Sequence, residues 1–203
     1  DGNYKSISEF YPEKTIISNG LSKWCGAGGW RLGFLAVPEG SKQFLNSLKS
    51  LASESYSTVN TPTQFAAVEA YEGNYENYKL KVRSILNAVG NYVYNNLSSN
   101  KILVDKPQGG FYLMPEFNSI KFKSSSEMCD DILTKTGVAL LPGSDFGFEK
   151  KKLIVRLSYT DFDGQKFMKE CKNNHNINDD MIKKYAPNIV EGVNKLKKWS
   201  ESI

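Results

Sequence analysis

The stretch Ser18-Asn19-Gly20-Leu21-Ser22-Lys23-Trp24-Cys25-Gly26-Ala27-Gly28-Gly29-Trp30-Arg31 concentrates the residues best suited to chemistry. A lysine amine can condense with a carbonyl to form a Schiff base. The glycines between Lys23 and Arg31 let backbone N–H groups come close to an anion. Arg31 adds a permanently charged planar fork that matches a phosphate. Together these groups suit a small molecule carrying both a carbonyl and a phosphate. Three other uses of such a loop fail on spacing. A dinucleotide fingerprint begun at Gly26 and Gly28 needs glycine where Arg31 stands, and a nucleotide-phosphate loop needs glycine where Ser22 stands. A serine–x–x–lysine acylase needs serine where Gly20 stands.

The elements that position this loop follow from the patterning. Thr15–Ser18 is a short β-branched run that predicts a strand, and Asn19-Gly20 predicts the turn ending it. Trp30–Val37, closed by Pro38, predicts a second strand, so the lysine loop lies between two strands. After Glu39 the period becomes helical, with Phe44, Leu45, Leu48, Leu51 and Ala52 on one face. Ser53–Pro62 reads as a polar loop, followed by helices over about Pro62–Tyr71 and Tyr75–Leu97. The rest alternates. Strands are predicted at Ile102–Val104, Phe111–Phe117, Val138–Leu141 and Leu153–Ser158. A helix after the capping-box pattern Ser124-x-x-Glu127 ends at Gly137, and two more helices span Asp163–Cys171 and Ile189–Trp199. The Asn-rich stretch Asn173–Asp180 reads as a surface insertion. The class is α/β. Two short strands do not make a stable sheet alone, so the first pair is expected to join polypeptide outside these 203 residues.

The hydrophobic fraction of 40% supports a buried core, and the formal net charge of +4 is mild and interspersed. That balance argues against nucleic acid as a partner. Lys183–Lys184 and Lys195–Lys197–Lys198 form the one locally basic region, which reads as a solvated helix face. No apolar run reaches transmembrane length and the first residues do not read as a signal peptide, so no membrane association is expected. Cys25, Cys129 and Cys171 lack metal-site spacing, so no metal is expected, and they fit reduced thiols in the cytoplasm. The one histidine, His175, reads as a surface residue, which removes most plans that use histidine as a base. Asp145-Phe146-Gly147 spells a kinase metal-binding triplet, but its companion motifs are missing. Tyr71, Tyr75 and Tyr78 have helical spacing and read as packing.

Asn-Gly-Leu-Ser-Lys followed by Gly-Gly-Trp-Arg-Leu-Gly-Phe resembles the cofactor-lysine signature of class I/II aminotransferases of fold type I. Ser57–Val68, Gln108–Pro115, Gly137–Gly147 and Ile154–Tyr159 resemble four further segments of that family, in its order, so the resemblance covers roughly residues 14–172. It implies that the chain is the C-terminal half of such an enzyme. Residues 1–73 would then be the end of the large cofactor-binding domain, and residues 74–203 a small α/β domain. The cofactor implied is pyridoxal 5'-phosphate, held covalently by Lys23, with Arg31 on its phosphate. Arg156 matches the arginine that pairs with the substrate α-carboxylate. Gly20 stands where many relatives have a phosphate-binding hydroxyl, which leaves Ser22 as a weaker candidate for that contact.

The activity implied is transfer of an amino group between an amino acid and a 2-oxo acid, in a cytoplasmic homodimer. A carbon–sulfur lyase or synthase of the same fold keeps the same lysine and arginines, and a non-catalytic fragment is the remaining alternative. The family's aspartate partner of the ring nitrogen lies upstream of the residues given, so residues 1–203 alone are expected to be inactive.

Overall fold

The computed structural model describes residues 4–119, 121–171 and 176–203. The chain divides into two compact units, Asp1–Lys79 and Leu80–Ile203. It is mixed α/β throughout.

In the first unit, β1 (Ile17–Gly20) leads directly into a single helical turn, α1 (Leu21–Trp24). A 3-10 turn at Gly28–Trp30 follows, and then β2 (Gly33–Ala36). The two strands pair antiparallel from Ile17↔Ala36 to Gly20↔Gly33. Asn19-Gly20 is therefore strand and not the turn its composition predicts. Gly20 is fully extended (φ −171°, ψ 166°), so the residue pair is read by its cross-strand partners rather than by its turn propensity. Helices α2 (Lys42–Ser55) and α3 (Thr61–Glu72) come next, so the predicted polar loop shrinks to the residues between them. Asn60 caps α3 by accepting from the Thr63 N–H at 3.0 Å. Among the described residues of this unit, Leu21, Thr63 and Ala67 are buried, while Phe44, Leu51, Phe65 and Val68 stand exposed.

Helix α4 (Glu76–Leu97) carries the chain into the second unit. Its face of Ile85, Val89, Tyr92, Val93 and Leu97 packs into one cluster with Ile102, Met128, Ile132, Val155, Phe167 and Leu196. The expected strand at Phe111–Phe117 is two short strands, β4 (Tyr112–Leu113) and β5 (Glu116–Phe117), after β3 (Ile102–Leu103). The proline between them, Pro115, has no N–H to give a ladder, and the run serves two sheets. β5 pairs with β3, while β4 pairs with β7 (Val155–Ser158).

α5 (Ser125–Thr136) begins at Ser124, whose hydroxyl accepts from the Glu127 N–H. The predicted capping box is only half made, because the Glu127 carboxylate accepts from the N–H of Lys123 instead of Ser124. Gly137 ends α5 at φ 73°, as its type predicts. β6 is shorter than expected, Leu141–Pro142, and pairs with the other side of β7. α6 (Gly164–Glu170), α7 (Asp179–Tyr185) and α8 (Pro187–Glu201) close the unit. Asn178 caps α7 and Asp179–Asp180 form its first turn, so that part of the presumed insertion is helix. His175 lies outside the described residues.

Candidate active site

Lys23 sits in α1, the helical turn that starts as β1 ends. The close approach of β1 to β2 depends on glycine: a Cβ on Gly20 would meet the Leu32 carbonyl oxygen at 2.9 Å, and one on Gly33 would meet that of Asn19 at 3.1 Å. The Leu21 N–H also donates to the Leu32 carbonyl at 3.1 Å, and Leu21 itself is buried. The turn bearing Lys23 is thereby fixed at the strand pair's end. The chain then folds back through Gly26 (φ 69°) to Arg31.

Arg31 has left-handed backbone (φ 54°, ψ 48°), a conformation uncommon outside glycine. Its guanidinium donates to the Gly28 carbonyl at 2.8 Å. Ser22, Lys23 and Arg31 line one open cavity of about 650 Å³, together with Ser18 and Asn19. The three residues expected at the cofactor thus line one cavity, and Arg156 is not among its lining residues. Ser18 and Asn19 open the same stretch, but as members of a predicted strand and turn they carried no role of their own in the sequence.

The polar side chains lining the cavity are two cations, two hydroxyls and an amide, with no carboxylate among them. That donor set fits a phosphate anion. One further donor stands in the wall. The Trp24 indole N–H is buried without a hydrogen-bond acceptor among the described residues, and buried donors left unpaired are uncommon. The Trp24 ring itself packs on Tyr71 and Tyr75, at centroid distances of 5.7 and 6.4 Å. Tyr71 also meets Phe34 edge-on and donates its hydroxyl to Asn19 at 3.3 Å. These tyrosines therefore pack, as expected, although not from one helix: Tyr71 is on α3 and Tyr75 lies in the link before α4.

Arg156 belongs to the second unit, on the central strand of the β4–β7–β6 sheet. Val155 and Leu157 point into the core, so alternation sends Arg156 to the other face. Among the described residues no acidic side chain lies within ion-pair distance of it. Its guanidinium carbon lies 4.5 Å from the Tyr112 ring centroid and 4.3 Å from that of Phe146. Asp145-Phe146-Gly147 is part of a 3-10 turn after β6, ending at Gly147 with φ 88°. Among the described residues no group of three or more His, Cys, Asp or Glu side chains could hold a metal ion. No described helix is long and apolar enough to cross a membrane.

The family described as "Aminotransferase class I and II", whose members depend on pyridoxal phosphate, matches residues 4–167. The chain is 36% identical over 158 residues to an aspartate aminotransferase of Bacillus sp. (strain YM-2), covering 75% of this chain and 38% of that protein. It is 34% identical over 159 residues to a probable N-acetyl-LL-diaminopimelate aminotransferase of Bacillus subtilis (strain 168), covering 78% and 39%. The chain thus spans about two fifths of the length of the curated relatives it matches. Among solved structures, an aromatic aminotransferase from Pyrococcus horikoshii superposes with a TM-score of 0.76 at 22% identity, covering 100% of this chain and 48% of that one. That likeness shows the fold, that of the fold-type I aminotransferases. An alanine aminotransferase from Pyrococcus furiosus superposes with a TM-score of 0.67 at 25% identity, covering 93% and 42%. The chain belongs to the class I and II aminotransferase family.

Proposed function

We propose that the protein is a pyridoxal 5'-phosphate-dependent aminotransferase that moves an amino group between an amino acid and a 2-oxo acid. The observation that carries this reading is the single cavity where Lys23, Arg31 and Ser22 meet with no carboxylate in the lining. The cofactor, when bound, supplies an electron sink for chemistry at the substrate α-carbon.

The residues have distinct tasks. Lys23 would hold the cofactor covalently, and its amine, when free, would move a proton at the substrate α-carbon. Arg31 binds the phosphate with its charged fork, and the Ser22 hydroxyl adds a second donor. Arg156 fixes the substrate carboxylate through two parallel N–H···O bonds. In this reading the first unit belongs to the large cofactor-binding domain and the second is the small domain. The working protein is a cytoplasmic homodimer.

The test is borohydride treatment of the pyridoxal-phosphate-loaded protein, followed by peptide mapping. Label on Lys23 supports the assignment, and label on another lysine overturns it. Product analysis with and without a 2-oxo acid then separates transfer from elimination, because only transfer requires the amino acceptor.

A further inference from the structure

Arg156 differs from an ordinary surface arginine in what surrounds it. Its guanidinium has two aromatic rings at 4.5 and 4.3 Å and no acidic partner among the described residues. The rings arrive from the two sides of β7. Tyr112 lies opposite Ser158 across the β4–β7 ladder, two residues from Arg156 and therefore on the same face of the sheet. Phe146 comes from the 3-10 turn that follows β6, on the opposite flank.

That turn is pinned against β7. The Gly143 N–H donates to the Ile154 carbonyl at 2.7 Å, and a Cβ on Gly143 would fall 2.7 Å from the same oxygen. Gly147 closes the turn in the left-handed region. Glycine at both positions thus brings Phe146 over Arg156, although the ring stays 41% exposed. Tyr112 is braced in its turn by the tilted ring of Phe111, with centroids 4.4 Å apart.

We propose that Tyr112 and Phe146 are positioning residues that clamp the Arg156 guanidinium and aim its N–H edge at a carboxylate. The proposal rests on the carboxylate role of Arg156 given above. An arginine without an acidic partner samples many rotamers and loses that freedom when it binds. Ring faces attract the cation electrostatically without using its N–H donors, which point out along the edge of the plane. The fork is therefore held ready, with no acceptor for its N–H groups among the described residues. An acidic neighbour would hold the guanidinium equally well but would occupy the donors that the ligand needs.

The test uses the full chain, with succinate as the carboxylate probe and succinamide as its uncharged counterpart. The Arg156 Nε–Hε NMR signal, assigned by its loss in Arg156→Gln, is expected upfield from ring currents and should move with succinate but not with succinamide. Tyr112→Leu and Phe146→Leu are each expected to weaken succinate binding about tenfold and to move the free-state signal downfield. Tyr112→Phe and Phe146→Tyr keep a ring and should restore both readouts, which a purely structural role would not require. If the leucine variants keep the wild-type unfolding temperature and bind succinate as tightly as wild type, the clamp is wrong while the Arg156 role stands. If Arg156→Gln binds succinate normally, the carboxylate role fails and takes the clamp with it.

Discussion

The ring of Tyr159 lies directly over the bare backbone of Gly90, so that a Cβ on Gly90 would meet Cζ and Oη of Tyr159 at 3.0 Å. Tyr159 cannot easily retreat. It is 1% exposed, and its hydroxyl donates to the Gly110 carbonyl at 2.9 Å. Its own N–H donates to the Phe111 carbonyl, so the same residue ties α4 to the start of β4. Gly90→Ala gains about 1 kcal/mol of helix propensity but overpacks the contact by roughly 1–3 kcal/mol. The expected net effect is destabilisation by about 1 kcal/mol. Thermal unfolding checks this, and a raised melting temperature would show that Tyr159 yields freely.

Arg31 is held in left-handed backbone, which costs a non-glycine residue about 1–2 kcal/mol. Arg31→Gly should therefore stabilise the ligand-free protein slightly, even as it loses the Gly28 contact and weakens binding of pyridoxal phosphate by an order of magnitude or more. Calorimetric unfolding and a phosphate titration separate the two effects. Unchanged pyridoxal phosphate affinity would remove Arg31 from the site.

Asp131 accepts from Lys135, an ion pair at 2.6 Å, and from the Trp199 indole N–H at 2.8 Å. The Lys135 bond, followed by that of Trp199, holds its carboxyl below the ordinary value of 3.8. In the unfolded chain the group takes up its proton first, so its stabilisation is complete above 3.8 and disappears as pH falls through the lower folded value. Asp131→Asn keeps an acceptor for the indole but abolishes this titration. It should be modestly less stable than wild type at pH 7, with the difference narrowing as pH falls below 4. Parallel acid-denaturation curves would argue against the linkage.

The three thiols should differ in reactivity. Cys129 is buried, and burial, reinforced by Asp130 and Asp145, pushes it up to about 11. Cys171 is raised as well, chiefly by burial. Cys25 is half-buried on the Lys23 turn. At pH 8 a disulfide reagent is expected to titrate one thiol, Cys25, in the folded protein and all three after denaturation. Because the folded Cys129 stays neutral where the unfolded one ionises, its contribution to stability falls as pH rises from 9.0 through about 11. Equal native reactivity of all three thiols would contradict this packing.

What could be read in the sequence depended on range. The pairing of Lys23 with Arg31 was legible because both lie in one short glycine-rich stretch whose chemistry is local. α5 was legible too, since Ser124 and Gly137 mark its ends and its apolar period fills the space between. The features that escaped depend on distant partners. Asn19-Gly20 looks like a turn until β2 pairs with it, and Phe111–Phe117 looks like one strand until β3 and β7 claim different ends. Tyr112 and Phe146 gave no sign of Arg156, because the sheet alone brings them together. α7 did have local signals, with Asn178 as cap, acids in the first turn and lysines in the last, but they were hidden in an Asn-rich context.

The three tryptophans occupy three kinds of surroundings, which gives the protein its own optical reporters. Trp199 is 5% exposed, so its emission should be blue-shifted and should follow melting of the second unit. Trp30 is 53% exposed, so its emission should be red-shifted and open to iodide quenching. Trp24 is the neighbour of Lys23 in sequence and stands in the cavity wall. A chromophore attached to that lysine would drain its excited state by energy transfer, so the fading of this one band would report loading of the cavity without any added dye.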